Sequence, residues 1–167
     1  MHGLSFREIT EKEIAIIEKW YGMTDCFGYA TGFRDFSEVR QRLIDGSSPD
    51  RTSSVITYEG KTIGFVSAEI IKTANKPLLW IYVLMIEPDY QNRGYGTWAV
   101  NRLADIVKSR YDSLTCVAPV SLKNKKGLCF WESLGFRRSY DLEKTLEPDR
   151  QVAIYVRDIS SDTNAHH

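Results

Sequence analysis

An apolar run that leads directly into a glycine-containing turn constrains this chain more than any other feature. The run, Leu78–Ile86, contains no charged residue and ends at Glu87 and Pro88. A strand this apolar is expected at the centre of a sheet, covered on both faces. The turn that follows reads Gln91-Asn92-Arg93-Gly94-Tyr95-Gly96, and a helical pattern begins at its end. The sequence therefore predicts a buried strand, a tight turn and a helix in direct succession.

This turn can be interpreted in two ways. Two glycines let the backbone curl so that its N–H groups point into the turn, and the helix that follows adds partial positive charge, which together suit phosphate oxygens. Gly94 and Gly96 also leave no Cβ between the backbone and a ligand. Alternatively, the turn is a tight connection that needs glycine only for its dihedral angles. The spacing alone does not decide between the two.

The hydrophobic patterns predict the order β-α-α-β-β-β-α-β-α-β-β along the chain. Thr10 and Glu13 form a capping box that opens the first helix. Residues 52–59 and 61–72 read as a hairpin, and residues 136–142 and 151–158 read as a second pair of strands. Meandering strands around one strand–helix–strand crossover predict an α/β (α+β) fold. We expect a mixed, mostly antiparallel central sheet of six to seven strands with helices on both faces.

The length and charge of the chain limit the number of domains and the kinds of partner that we expect. With 167 residues the chain predicts a single domain over 1–160, with 161–167 as a disordered tail or tag remnant that includes His166 and His167. Lys+Arg and Asp+Glu are equal at 22 each, so charge gives no support for a nucleic-acid partner. The longest apolar run is too short to span a bilayer and no signal peptide is visible. We therefore expect a soluble cytoplasmic protein without a membrane partner.

Histidine and cysteine usage excludes several mechanisms. The three histidines lie at the chain ends, so a mechanism built on a central histidine is excluded. The three cysteines lack the spacing of metal ligands, and neither a metal nor a disulfide is expected. Without a histidine to activate them, Cys116 and Cys129 are expected to be buried structural thiols.

A second motif lies at 124–136. Asn124 is expected to cap a helix, Gly135 to end it, and Phe136 to enter the core. The two motifs together resemble the signatures of the GNAT superfamily of N-acetyltransferases. Gln91, Gly94 and Gly96 match the pattern Q/R-x-x-G-x-G/A, and 124–136 is similar to N-x-x-A-x-x-L-Y-x-x-x-G-F. The predicted order of strands and helices, from residue 4 to about 158, is also that of the GNAT fold.

The resemblance implies that acetyl-CoA is the cosubstrate. The acetyl group would pass directly to a primary amine of a small molecule or peptide in a ternary complex. The turn amides would hold the pyrophosphate, a backbone N–H near Met85 would serve the thioester carbonyl, and Asn124 would touch the pantetheine arm. The implied CoA-binding set is Met85, Ile86, Gln91, Asn92, Arg93, Gly94, Tyr95, Gly96, Thr97 and Asn124.

The residues for proton transfer depart from the family pattern. Many members place a Tyr acid where this chain has Trp131, and an indole N–H does not titrate usefully. Alternation predicts that Trp80, Tyr82 and Leu84 share one face of the central strand. The candidates for the missing chemistry are Tyr82 and Glu69. Two further carboxylates are less favoured: Glu87 at the strand end and Asp25 in the predicted acceptor loop.

Alternatives remain open at this stage. The rival function is a catalytically weak acyl-CoA-binding or sensor domain of the same fold, motivated by Trp131. A general nucleotide-phosphate binder is disfavoured because neither a Walker lysine nor a Rossmann acidic position accompanies the turn. The acceptor would contact the loop at 21–34, the strand that carries Glu69 and the connection at 140–150. The acceptor's identity is left open, as is the oligomeric state, for which a homodimer is one alternative.

Overall fold

The computed structural model describes residues 1–23, 36–45, 48–148 and 151–160, which build one seven-stranded sheet. The spatial order of the strands is β1-β2-β3-β4-β5-β7-β6. All neighbours are antiparallel except β4 and β5, which are parallel. The predicted mixed, mostly antiparallel sheet is therefore confirmed. The strands are β1 (Leu4–Glu8), β2 (Arg51–Tyr58), β3 (Lys61–Ile71), β4 (Leu78–Ile86), β5 (Ser113–Ser121), β6 (Arg137–Arg138) and β7 (Val152–Ser160).

Helices cover both faces of this sheet, as predicted. On one face, α1 and α2 contribute Ile17 and Val39 to a core that includes Phe65 of β3. On the other face, α3 and α4 contribute Leu103 and Trp131 to a second core. The helices are α1 (Glu11–Tyr21), α2 (Phe36–Asp45), α3 (Tyr95–Lys108), α4 (Lys125–Ser133) and a short α5 (Tyr140–Glu143), with a 3-10 turn at Pro88–Tyr90. None of these described helices combines the length and hydropathy needed to cross a bilayer.

The central strand β4 contains a β-bulge. Ser67 of β3 opposes Val83 while the next residue, Ala68, opposes Ile81, so Tyr82 is an extra residue on β4. A bulge of this kind bends the strand and interrupts the alternation of its side chains. Ile81 accordingly packs with α3 and α4, whereas Val83 packs with α1 and α2.

The bulge overturns the expectation that Trp80, Tyr82 and Leu84 share one face. Tyr82 packs against the α1–α2 core, whereas Leu84 packs against the α3–α4 core. A strict period of two holds only while each residue of one strand opposes one residue of its neighbour. The residue types of an apolar strand do not indicate where a bulge inserts an extra residue.

The segment at 136–142 was predicted as one strand, and this was wrong. Only Arg137–Arg138 pair with β7, and the chain then turns into α5. The Ser139 hydroxyl accepts a hydrogen bond from the Leu142 N–H and caps this helix. Glu143 in turn accepts three hydrogen bonds from the Arg138 guanidinium, at 2.7, 2.9 and 3.2 Å. These local polar contacts end the strand after two residues.

The predicted capping box at the start of α1 is present and carries a buried charge. Glu13 accepts a hydrogen bond from the Thr10 N–H at 2.9 Å and lies 2.6 Å from an Arg7 guanidinium nitrogen, with 3% of its surface exposed. Burial alone would raise the pKa of this carboxyl. The hydrogen bonds from Thr10 and Arg7 outweigh burial and place the pKa below its usual value.

We expect Glu13→Gln to lower the free energy of unfolding by about 1–2 kcal/mol at pH 7, because a charge-assisted hydrogen-bond network is lost. Since the native pKa is lowered, this stabilisation exists above the pKa of the unfolded chain and disappears as pH falls through the native pKa. Urea unfolding at pH 7 and at successively lower pH values measures it, and the difference between the two proteins should shrink as the pH falls. Glu11→Gln, an exposed change in the same helical turn, is the control. A difference that persists undiminished at low pH would contradict the assignment.

Candidate functional site

The two parallel strands at the centre of the sheet pair only at their beginnings. Leu78–Trp80 pair with Thr115–Val117, although β4 continues to Ile86 and β5 to Ser121. Beyond this ladder, residues 81–86 and 118–121 do not pair with each other. We call the gap between these two segments the interstrand slot. Unpaired backbone beside a gap can bind a ligand that presents amides of its own.

The hydrogen bonds of β4 show which amides point into the interstrand slot. The Glu87 N–H donates to the Ile63 carbonyl at 2.7 Å, towards β3. Because strand residues two apart point the same way, the Met85 amide also points to β3, where Met85 opposes Phe65. The amides of Leu84 and Ile86 therefore face the slot. The family resemblance implies a donor near Met85, and in this geometry the Leu84 amide, rather than the Met85 amide, faces the slot.

The glycine turn closes one end of the interstrand slot. The Gln91 side-chain amide donates to the Ile86 carbonyl at 2.8 Å and ties the turn to the end of β4. Asn92 and Gly94 have positive φ angles of 60° and 82°, so the chain reverses through two left-handed residues. Gly94 then precedes α3, whose first N–H groups have no acceptor within the helix.

Glycine is needed at the two positions of the turn for different structural reasons. Gly94 needs its left-handed backbone, which a side chain would strain. Gly96 lies at the contact between α3 and α4, where an added Cβ would stand 3.2 Å from the Phe130 ring. Asn92, Arg93 and Gly94 are exposed. The backbone of the turn is thus accessible from solvent, and the predicted residues of this motif lie together at the end of β4.

The second motif builds the neighbouring helix. Asn124 caps α4 by accepting a hydrogen bond from the Gly127 N–H at 2.9 Å. Gly127 lies so close to the Asn124 side chain that no Cβ fits between them. Trp131 is buried, with ring centroids 5.0 Å from Phe130 and 4.9 Å from Phe136. The residue in place of the usual Tyr is therefore a core aromatic.

The structure brings Tyr82 and Glu69 together and adds a residue that the sequence reasoning missed. Arg42 of α2 donates to Glu69 at 3.0 Å and lies 4.2 Å above the Tyr82 ring. The Tyr82 hydroxyl donates a longer hydrogen bond of 3.4 Å to the same carboxylate. We call these three residues the Arg42 cluster. A signal existed, since Arg42 is a cation on the inward stripe of α2 that carries Val39 and Leu43.

Burial raises the pKa of Tyr82, and the neighbouring Arg42 only partly opposes that shift. The phenol is therefore protonated at neutral pH. Trp80 stands beside the cluster, opposite Glu69 in the sheet and 6.0 Å from the Tyr82 ring. Its buried indole N–H has no hydrogen-bond partner among the residues that the structure describes. A carboxylate, a phenol and an indole donor thus meet at the bulge of β4.

The other candidate groups lie elsewhere. Glu87 sits at the strand end, partly exposed and 4.0 Å from the Lys61 ammonium. Asp25 and most of the predicted acceptor loop lie outside the described residues, as does the predicted tail at 161–167. Across the described ranges, no three His, Cys, Asp or Glu side chains approach one another closely enough to hold a metal ion.

The two described cysteines differ. Cys116 is buried in β5, and burial raises the pKa of its thiol to about 12. Cys129 is exposed on α4, so the expectation that it is buried was wrong. The expectation followed from the lack of an activating histidine, which does not determine burial, and α4 turns Trp131 inward instead.

Comparisons with known sequences identify relatives. A family model described as the acetyltransferase (GNAT) family matches residues 17–136. An uncharacterized N-acetyltransferase of Methanocaldococcus jannaschii is 28% identical over 85 residues, which cover 49% of this chain and 37% of that protein. The chain therefore matches little more than a third of the length of this relative.

Solved structures share the fold. An acetyltransferase of Salmonella typhimurium that modifies the N-terminal serine of the 50S ribosomal subunit protein L7/L12 superposes with a TM-score of 0.73, at 13% identity, covering 96% of this chain and 97% of that one. The PaiA N-acetyltransferase of Thermoplasma acidophilum, in complex with coenzyme A, gives a TM-score of 0.66 at 16% identity and covers 93% and 99%. At these identities the likeness shows the fold alone.

We expect N-ethylmaleimide at pH 8 to modify Cys129 rapidly in the native protein and to leave Cys116 unmodified. Thiolate is the reactive species, and a buried thiol with a raised pKa supplies almost none. Peptide mass spectrometry quantifies each site, and the same reaction in denaturant should modify both. Native labelling of Cys116 at a rate near that of Cys129 would contradict its placement in the core.

Proposed function

Because this chain belongs to the acetyltransferase (GNAT) family, we propose that it transfers an acetyl group from acetyl-CoA to a primary amine of a small molecule or peptide. The observation that supports this most directly is the interstrand slot, which ends against the Gln91-tied glycine turn. The slot and the turn are adjacent, so one extended ligand with amides at one end and phosphates at the other could occupy both.

The backbone of this site suits acetyl-CoA. The exposed turn and the first N–H groups of α3 would bind the pyrophosphate oxygens. The pantetheine arm contains amides, and the Leu84 and Ile86 amides face the slot where that arm would lie. Asn124 lies at the N-terminus of the neighbouring α4, where it already serves as the N-cap. In this proposal Gln91 acts indirectly, since its side chain holds the turn against β4.

The transfer needs a donor for the developing oxyanion. The amine lone pair attacks the thioester carbonyl, a C–N bond forms, and the C–S bond then breaks to release the CoA thiolate. The intermediate carries negative charge on the former carbonyl oxygen, which a fixed backbone N–H stabilises best. We assign this part to the Leu84 amide, because it faces the slot next to the bulge whereas the Met85 amide bonds within the sheet.

Attack also requires that the ammonium of the acceptor lose a proton. Glu69 is the carboxylate at the bulge, and Tyr82 links to it through its hydroxyl. We propose that the Arg42 cluster binds the acceptor's amine and accepts its proton, with Glu69 as the base and Arg42 as the residue that orients it. Buried Trp131 supplies no acid. The thiolate of CoA leaves without one, since it is a stable anion.

The name of one relative supports a peptide acceptor. The Salmonella typhimurium acetyltransferase modifies an N-terminal serine, which is a peptide amine. The Arg42 cluster would recognise the cationic amine that small amines and peptide N-termini share. We therefore propose the primary amine as the common feature and leave its carrier as either a small molecule or a peptide.

A catalytically weak acyl-CoA-binding or sensor domain is the second candidate. Two observations favour it: Trp131 replaces the usual acid, and the Glu69 carboxylate is paired with Arg42. Incubation with acetyl-CoA and a panel of aminoglycosides, polyamines, amino acids and N-terminal peptides separates the two, with released CoA thiol as the readout. Turnover on any amine supports the enzyme. Binding without turnover across the panel supports the sensor, and the absence of binding would overturn both.

We expect Gly94→Ala to weaken acetyl-CoA binding at least tenfold, because a side chain strains the left-handed backbone that shapes the turn and its Cβ would stand 2.8 Å from the Met1 side chain. Gly60→Ala is a matched control, since Gly60 has the same φ of 82° but an added Cβ there has no atom within 4 Å. Both variants should lose similar stability in thermal unfolding, and calorimetric titration should show weakened binding only for Gly94→Ala. Equal affinity in the two variants would contradict the proposed cradle.

We expect Glu69→Gln to lower kcat/KM by roughly a hundredfold or more on an acceptor that the wild type acetylates, because the base is lost. Tyr82→Phe should lower kcat/KM much less, because in this proposal the Tyr82 phenol only donates a hydrogen bond to Glu69. Glu87→Gln, which removes the strand-end carboxylate beside Lys61, is the control. A normal rate for Glu69→Gln would remove Glu69 from the mechanism.

A further inference from the structure

A proline lies in the sheet interior beside the interstrand slot. Pro119 belongs to β5, which lies between β4 and β7, and it opposes Ile154 of β7. Prolines are rare in central strands because they cannot donate a hydrogen bond to a neighbouring strand. The side of the strand that its nitrogen faces therefore decides which neighbour loses a hydrogen bond.

The surrounding hydrogen bonds place the Pro119 nitrogen on the slot side. The Thr115 N–H donates to the Pro77 carbonyl, towards β4, so residues 117 and 119 face the same way by alternation. The Leu122 N–H, one residue beyond β5, donates to the Gln151 carbonyl on the side of β7, so the even-numbered residues of β5 face β7. The position of Ile154 supports this orientation. Its carbonyl accepts a hydrogen bond from the Ser139 N–H on the side of β7 that faces away from β5.

The N–H that Pro119 lacks would form the hydrogen bond just beyond the last pair of the parallel ladder between β4 and β5. In the register of β4 and β5, residue 115 donates to residue 77, and residue 117 donates to residue 79. The next donor would be residue 119 and its acceptor the Ile81 carbonyl. Residue 119 is a proline, and the pairing stops at Trp80 and Val117. The first hydrogen bond that is lost is the one that Pro119 cannot make.

We propose that Pro119 is a positioning residue that keeps the interstrand slot open when no ligand is bound. Any other residue at this place would carry an N–H aimed at Ile81 and would extend the parallel ladder by one hydrogen bond into the slot. Pro119 also leaves the Ile81 carbonyl facing the slot as an acceptor for an N–H of the ligand. The part of this inference that concerns the ligand rests on the proposed function, whereas the opening of the slot does not.

The test restores the donor. In Pro119→Ala without ligand, we expect the new amide of residue 119 to exchange with solvent at least tenfold more slowly than an unprotected amide, as measured by NMR, because it bonds to Ile81. Saturating acetyl-CoA should accelerate this exchange, which is opposite to the usual effect of a ligand. The KM for acetyl-CoA should rise roughly threefold to tenfold, the equivalent of one backbone hydrogen bond, while kcat at saturation stays unchanged.

Two further variants keep the result interpretable. Pro119→Val restores the same N–H with a strand-favouring side chain and should reproduce both effects if the alanine variant folds poorly. Pro77→Ala removes a proline at the closed end of the same ladder and should leave the KM unchanged. A rapidly exchanging amide at residue 119, or an unchanged KM in folded variants, would overturn the proposal. If the wild type does not bind acetyl-CoA, the proposed function fails, but the exchange measurement on ligand-free protein still tests the role of Pro119.

Discussion

The short parallel ladder between β4 and β5 is the interaction on which the site depends. Three residues of each strand pair and hold the two halves of the sheet together. A longer ladder would fill the interstrand slot with hydrogen bonds between β4 and β5. A shorter ladder would separate the two halves of the sheet. The length of this ladder therefore sets a balance between the stability of the sheet and an unpaired backbone that can bind a ligand. Pro119 and the glycine turn lie at the two ends of the region that stays unpaired.

The bulge at Tyr82 has a complementary effect on β4. It reverses the alternation, so the amides of Leu84 and Ile86 face the slot whereas those of Met85 and Glu87 bond to β3. It also places Tyr82 beside Glu69 and beneath Arg42. One inserted residue thus positions both the backbone that faces the proposed acetyl donor and the side chains that face the proposed acceptor.

Much of the fold could be predicted from local patterns. The capping box of Thr10 and Glu13, the helix over Phe36–Asp45 and the Asn124 cap depend on contacts within a few residues, so their signals are complete in the sequence. The segment after Phe136 was predicted wrongly because Arg138 and Glu143 form an ion pair that ends the strand. That pair also involves the Ile154 amide of β7, which no local pattern includes.

The sequence by itself determined the family, the order of strands and helices, and the turn at Gln91 and Gly94. Each of these depends on residue types at short and regular spacing along the chain. Only the tertiary structure decided which backbone groups face the interstrand slot, since this depends on register between strands and on one bulge that the apolar residues of β4 do not encode locally. The same holds for Arg42, which meets Glu69 across 27 residues of chain. A contact between distant elements exists only once the sheet has assembled and both partners have been brought to one face.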